Sequence, residues 1–563
     1  MSKLVSDGGL TRSAAASAIF ISVSFASSGA FADCATSGSG PVTLTCSGTF
    51  ATTSTTNTNP NPDTVDRTQT FSDSINGSVA SGAVITGAGL SPTSTLSGSA
   101  VSLTNNGSVS SGVNVAVTVQ GSGGSTFNLS YSGSGSVTGM AGAGALQLLG
   151  AGSGTTSATI SGTSVISTQA SGGVFNAFGI QTDLTSGTVN VTVLNGGVVR
   201  GGNAIEFDGT GSNTLANSGI VGTNIPGTSA INGVSASLVN NNSLTVINHG
   251  TGVISGSNTG IITGTGGSVA ITNDLGGSIT GTNTTLAMGA KAASVGIAAG
   301  SVSGSNAGTI SGSTHGIDTT GSLPGGNPGT SVNLTTNSGT IQGTATVASG
   351  FQVGSGIIAK TSVTVGTNSG TISGGLDGIT AVNSFVMVNN NTGTISGLSG
   401  SGIAANTAAT VTNASTGQIT GLTAGIRGVD VTAINSGTIS ATGGGISSTG
   451  VLSVTNNSGA TISGATGITA NGTSATITNM VMKRHDHRNW RHRYWYQPRR
   501  HFEHHQQQRR DDLRDWRGYF CRLRRHVYAV QCGYPKRNFV RHRRLRQCER
   551  HSQFRHDHRR HRH

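Results

Sequence analysis

Charge is nearly missing from most of this chain. Through residue 479 there are seven basic and twelve acidic side chains. The formal net charge of +13 is therefore made beyond residue 479, and any basic-surface function would belong to that end alone. Cysteine is scarce as well. Cys34 and Cys46 are the only two before Cys521. With no histidine or acidic cluster beside them, a metal site is excluded there, and in an exported chain a disulfide closing a small N-terminal loop is the simplest reading. No window shows apolar residues at helical spacing, and glycine falls every few residues, which excludes a helical fold. Past the N-terminus no apolar run is long enough to span a bilayer as a helix.

What is present is a repeat. Asn435-Ser436-Gly437-Thr438-Ile439-Ser440 is followed by Gly445-Ile446. The same string stands at Asn306-Ala307-Gly308-Thr309-Ile310-Ser311, Asn368-Ser369-Gly370-Thr371-Ile372-Ser373 and Asn391-Thr392-Gly393-Thr394-Ile395-Ser396. The last clear copy is Asn457-Ser458-Gly459, an extra Ala460, then Thr461-Ile462-Ser463. Steps of 20 to 31 residues between copies are the mark of a solenoid.

Each repeat offers a polar turn, a short Thr-Ile-Ser strand, a second strand opened by Gly-Ile, and a third run such as Val363-Thr364-Val365 leading to the next Asn. Alternating β-branched residues bounded by Gly and Asn read as strands. Asn and Gly both tolerate positive φ, so they are expected to turn the corners. One turn cannot bury its own apolar face, whereas copies stacked at about 4.8 Å can. The expected fold is all-β, a right-handed parallel β-helix (solenoid) with a disordered basic C-terminal tail. Ile310, Ile372, Ile395, Ile439 and Ile462 are expected to form one inward ladder, the repeat core.

Along the chain, residues 1–32 read as a signal peptide. Lys3 and Arg12 give positive charge, Ala14 to Phe25 a short apolar run, and Ala30-Phe31-Ala32 a cleavage site, so cleavage is expected between Ala32 and Asp33. Residues 33–75 form an N-terminal cap holding the Cys34–Cys46 disulfide. Residues 76–479 are the β-helix, with looser copies before Val189.

At residue 480 the composition breaks. All three Trp and 13 of 15 His lie beyond it. Taken literally, 480–563 is a basic, His- and Arg-rich tail suited to nucleic acid or metal. A second explanation comes from the genetic code. Read one base on, the codons of Arg484-His485-Asp486-His487-Arg488-Asn489-Trp490 can spell Gly-Thr-Ile-Thr-Gly-Ile-Gly. Those of Gln506 to Arg514 can spell Asn-Asn-Ser-Gly-Gly-Thr-Ile-Ser-Gly, and those from Gln553 to the end a third copy. The expectation is a one-base slip between about Thr478 and Lys483. Cys521, Cys532 and Cys548 would then be incidental, and their spacing fits no zinc motif.

A signal peptide, an early cysteine pair and a long solenoid of Asn-Ser-Gly-Thr-Ile-Ser-Gly copies together resemble the passenger region of Gram-negative autotransporters (type V secretion). The resemblance covers roughly residues 1–479. It implies export by the Sec machinery, display at the cell surface or outer membrane, and an adhesin-like role towards an unknown surface or matrix ligand. Members carry a C-terminal membrane β-barrel. None is read in this chain, so the resemblance implies a truncated product, periplasmic or secreted.

No catalytic constellation stands out. Asp274, Asp318, Asp377 and Asp430 occupy different repeat positions and read as solvated turn residues. His249 and His315 are the only histidines before residue 480, and neither is expected to have an acid and a nucleophile beside it. No catalytic residue, cofactor, metal or nucleic-acid partner is expected. The alternatives are a β-helical polysaccharide-acting enzyme and, if the tail's frame is genuine, a nucleic-acid- or metal-binding tail.

Overall fold

The computed structural model describes residues 33–480, with breaks at 39, 54–63, 67, 122–125, 140–143, 151, 162–163, 168–177, 185–186, 223–231, 237–241, 265, 283–293, 322–328 and 346–353, and the backbone of the strand Phe502–Gln507. Residues 1–32, where the signal peptide is expected, and most of the tail lie outside the described residues.

One coil consists of three strands. Asp430–Asn435, Thr438–Ala441 and Gly444–Ser448 make one, and Val451–Asn456, Thr461–Ser463 and Thr466–Ala470 the next. Each strand pairs in parallel with its counterpart a coil later, at Val431↔Leu452, Ile439↔Ile462 and Ile446↔Ile468. The result is a parallel β-helix. We call its three sheets the asparagine sheet, the isoleucine sheet and the glycine–isoleucine sheet. The last has 16 strands, one per coil, so the stack is about 75 Å long.

The first coil begins at Val42–Ser47, which pairs in parallel with Ile75–Val79. Its outer edge would otherwise present unpaired backbone groups. Asp33–Ser37 lies antiparallel along that edge, with Cys34 opposite Cys46. The two are joined as a disulfide. The strand Asp33–Ser37 thus covers the open end of the rod.

One apolar core runs from Cys34 to Ile477, with a small second cluster of Ile262, Val295 and Ala298. Ile310, Ile372, Ile395 and Ile439 stand in one column of the isoleucine sheet and are fully buried. Ile462, in the last complete coil, is half-buried. Burying one such side chain stabilises by about 2–3 kcal/mol.

The Gly-Ile step has a packing cause. A Cβ on Gly425 would lie 2.6 Å from Ile439 Cγ2, and one on Gly378 2.9 Å from Ile395 Cγ2. Each motif isoleucine therefore rests on the bare backbone of a glycine in the preceding coil.

The Asn-x-Gly glycines correct the expectation that positive φ makes the corner. Gly308, Gly339, Gly370 and Gly437 have no left-handed φ. What forbids a side chain is the coil below: a Cβ on Gly370 would sit 2.0 Å from the Gly339 carbonyl oxygen. Only in the lengthened turn with Ala460 does the glycine, Gly459, take φ +82°.

Candidate functional site

The asparagines are not corner residues either. Asn217, Asn248, Asn273, Asn306, Asn337, Asn368, Asn391, Asn413 and Asn435 end successive strands of the asparagine sheet, and each is at most 1% exposed. Their side chains point inward and hydrogen-bond along the rod axis. Asn368 Nδ2 donates to Asn391 Oδ1 at 2.7 Å, Asn391 Nδ2 to Asn413 Oδ1 at 2.7 Å, and Asn413 Nδ2 to Asn435 Oδ1 at 2.8 Å. The series continues through Asn456 to Asn479. A primary amide carries both donor and acceptor, so every copy can accept from one neighbour and donate to the other. The spare Nδ2 proton of Asn435 reaches the Gly437 carbonyl at 3.2 Å and the Thr461 carbonyl at 3.1 Å. In the copy with Ala460, the column residue is Asn456, which pairs with Asn435. Asn457, the asparagine counted in the motif, is a turn residue. Towards the N-terminus the same position holds Val193 and Ile160, and the first coil places Cys46 there, beside Val79.

The titratable side chains meet in a way the sequence hides. On the outer face of the glycine–isoleucine sheet, Gln147, Gln181 and Glu206 occupy one column, and Asp183 faces Asp208 two residues further along. Gln147 Nε2 donates to Gln181 Oε1 at 2.6 Å, and Gln181 Nε2 donates to Asp208 Oδ2 at 2.6 Å. Burial, then the Asp208 charge, push the Glu206 carboxyl up to about 7 against a hydrogen bond from Asn203. Burial also raises Asp208, opposed by Gln181 and helped by Asp183. A carboxyl poised near neutrality can hold and release a proton. Among the described residues no group of three His, Cys, Asp or Glu side chains is arranged to hold a metal ion.

This cluster sets a pH dependence. Glu206 is raised in the folded chain, so the native state holds more protons than the unfolded one between the two pKa values. Its contribution is full below the unfolded value of about 4.3 and is lost as pH rises through about 7. Asp208 acts in the same sense. Amide exchange in Asn203–Gly209 is expected to show stronger protection at pH 5 than at pH 8, and Glu206→Gln to flatten that difference. An unchanged difference in the variant would refute the assignment.

Two further expectations change. Asp318 and Asp377 are buried, at 3% and 4% exposure, rather than solvated. Asp318 Oδ1 accepts from the Thr320 N–H and hydroxyl, and Asp377 accepts from the Ser401 N–H and the Thr380 hydroxyl. Short side chains that bond nearby backbone fix turns in this way. The histidines do have acids near them. His249 Nδ1 lies 3.1 Å from Asp274 Oδ2 of the next coil, both half-exposed. His315 Nδ1 accepts the Ser355 N–H at 3.2 Å, and its burial lowers its pKa while Asp318 raises it. Asp274 and Asp430 stay at the surface, the latter accepting the Val451 N–H.

A groove of about 510 Å³ runs along the axis where the isoleucine sheet turns into the glycine–isoleucine sheet. One wall carries Gln342, Ser373, Ser396 and Thr420, one from each successive coil. The floor is Gly343, Gly374, Gly397 and Gly421. Leu398 and Leu422, 67% and 46% exposed, stand on the other side. The glycines are forced by the turn: a Cβ on Gly374 would lie 1.9 Å from the Asp377 carbonyl oxygen, and one on Gly397 2.1 Å from that of Ser401.

No family model, curated protein or solved structure matches the chain. Among the described residues the rod offers a sparsely charged outer surface, an acidic cluster at Asp183, Glu206 and Asp208, and an axial groove. Neither the cluster nor the groove was visible in the motifs. Asp183 and Asp208 stand 25 residues apart in the chain, and only the coil register makes them neighbours.

Proposed function

We propose that this chain is the rod of a surface-displayed passenger of the autotransporter type, a non-catalytic adhesive scaffold carried out of the cell by the Sec machinery and an outer-membrane barrel. The observation that carries the reading is the continuous stack, with one core from Cys34 to Ile477. Such a stack extends its outer face without needing charge, and repeated weak contacts along it sum to firm attachment.

The proposal includes the one-base slip, and the strand Phe502–Gln507 supports it. That strand pairs in parallel with Ser474–Met480 and sets Gln506 opposite Asn479, at the column position. Read one base on, the codons of residues 502–514 can spell Leu-Ser-Ile-Thr-Asn-Asn-Ser-Gly-Gly-Thr-Ile-Ser-Gly. This matches Leu452 to Gly464 except for Val454 and Ala460. The asparagine of the shifted reading falls at 506, where the next member of the column is due.

Sequencing genomic DNA across codons 470–495 is expected to reveal one base gained or lost. The restored gene, expressed in a Gram-negative host, is expected to yield protein that protease removes from intact cells. It should also raise cell attachment to matrix-coated surfaces several-fold. A frame confirmed as written would remove the slip. Display without any gain in attachment would remove the adhesive role. The cluster of Glu206, Asp208 and Asp183 favours a second reading, an enzyme on polysaccharide. It predicts hydrolysis or lysis of a polymer that is abolished in Glu206→Gln.

A further inference from the structure

We propose that the axial groove between Gln342 and Leu422 binds a single, extended chain of uncharged polysaccharide, lying parallel to the rod. The inference rests on the reading of the rod as a contact surface and gives that surface a ligand class.

Shape is the first argument. The groove crosses five coils from Gln342 to Thr442, a length of about 24 Å at the spacing of parallel strands. Four of the five coils contribute a polar side chain followed by glycine, Gln342-Gly343, Ser373-Gly374, Ser396-Gly397 and Thr420-Gly421. A site of this form suits a polymer whose units repeat along its length, because each unit can meet an equivalent set of partners.

The walls are the second. Hydroxyl and amide groups from Gln342, Ser373, Ser396 and Thr420 line one side, and the exposed leucines the other. Those groups both donate and accept hydrogen bonds. A sugar ring has matching parts, hydroxyls at its edge and C–H groups on its face.

The third is what the groove cannot satisfy. No lining residue is ionisable. A polyanion such as nucleic acid or a uronic-acid polymer would lose water without gaining a counter-charge. An extended peptide binds best by adding a strand to a free sheet edge. Here Thr371–Gly374 and Thr394–Gly397 are each paired on both sides, so no edge is offered.

The groove is open and has no aromatic wall, so each sugar should contribute little and affinity should grow with chain length. The test is electrophoresis of the full chain through gels containing soluble glucan, xylan, galactomannan or dextran, with polygalacturonate and heparin alongside. At least one neutral polymer is expected to retard the protein. Binding of its oligosaccharides should strengthen up to about five units, one per coil, and then level off. Leu398→Asp with Leu422→Asp should weaken the retardation about tenfold or more. Both leucines are exposed, so the circular dichroism and melting temperature should be unchanged. Ser396→Lys, on the opposite wall, should weaken it too.

Retardation by polyanions alone would overturn the proposal. So would none by any neutral polymer, or retardation indifferent to these variants. Cell attachment that persists without polysaccharide binding sinks this inference and leaves the adhesive role standing. Loss of both sinks both.

Discussion

Asn391→Asp makes the rod acid-stable and neutral-labile. Asn391 is fully buried. It accepts from Asn368 at 2.7 Å and donates to Asn413 at 2.7 Å. A protonated aspartic acid nearly reproduces this, with a carbonyl to accept and a hydroxyl to donate. The ionised form can only accept. It turns a negative charge on Asn413 Oδ1 and leaves that acceptor without its donor. Burial and the lost donation both raise the folded pKa above the unfolded value of about 3.9. The sign follows from linkage. Stability is nearly intact below that unfolded value and falls as pH rises through the raised folded value. At pH 7 the cost should approach about 3–5 kcal/mol, that of an uncompensated buried charge. Asn391→Ala is the control. It strands one donor and one acceptor at any pH, at about 1–3 kcal/mol for each unsatisfied group. Heat unfolding followed by circular dichroism at pH 3.5 and pH 7 separates the two. An aspartate variant equally stable at both pH values would show that the column does not need its donors.

Ile439→Asp should break the rod locally. Ile439 is fully buried, between Ile419 and Ile462 in its column, with its Cγ2 over Gly425. The substitution removes about 2–3 kcal/mol of apolar burial and adds an unpaired carboxylate, for a loss of more than about 4 kcal/mol. In a solenoid each coil touches only its neighbours, so the damage should spread over a few coils rather than unfold the chain at once. Thermolysin is expected to cut first within residues 418–470, while the coils before Asn391 resist. Ile439→Val should cost only about 1 kcal/mol and leave the pattern of the parent. Equal protease resistance of the aspartate variant would place Ile439 outside the core.

The motif isoleucines were legible because strand periodicity is local. A buried residue flanked by two outward hydroxyls, as in Thr438-Ile439-Ser440, is marked by its immediate neighbours. The asparagine was equally visible but misread. Asn before Gly suggests a corner when each copy is considered alone, and only a second copy stacked on it supplies the amide partner that draws the side chain inward. Asn456 shows the difference: the string points to Asn457, while the strand register selects the residue before it. The acidic cluster was illegible for a related reason. Coil lengths vary, so Gln181, Glu206 and Asp208 share no fixed offset within a motif, and the loops that absorb the variation set which of them meet.

By itself the sequence determined the class of the fold. Frequent glycine rules out helix, β-branched alternation makes strands, and a repeated apolar position that one turn cannot bury demands stacking. The disulfide's partners followed from scarcity, since no other cysteine precedes residue 521. Tertiary structure decided everything that depends on contact between coils. It turned the asparagines into an inward column, replaced positive φ by close backbone approach as the reason for the motif glycines, raised the Glu206 carboxyl, and lined up polar side chains from four successive coils along a groove. The asparagine column, the motif glycines and the groove are interactions between residues one coil apart, and the Glu206 carboxyl is raised first by the burial that the stacked coils impose and then by Asp208. Those distances and that burial are set by how the chain stacks, not by how far apart the residues stand in the sequence.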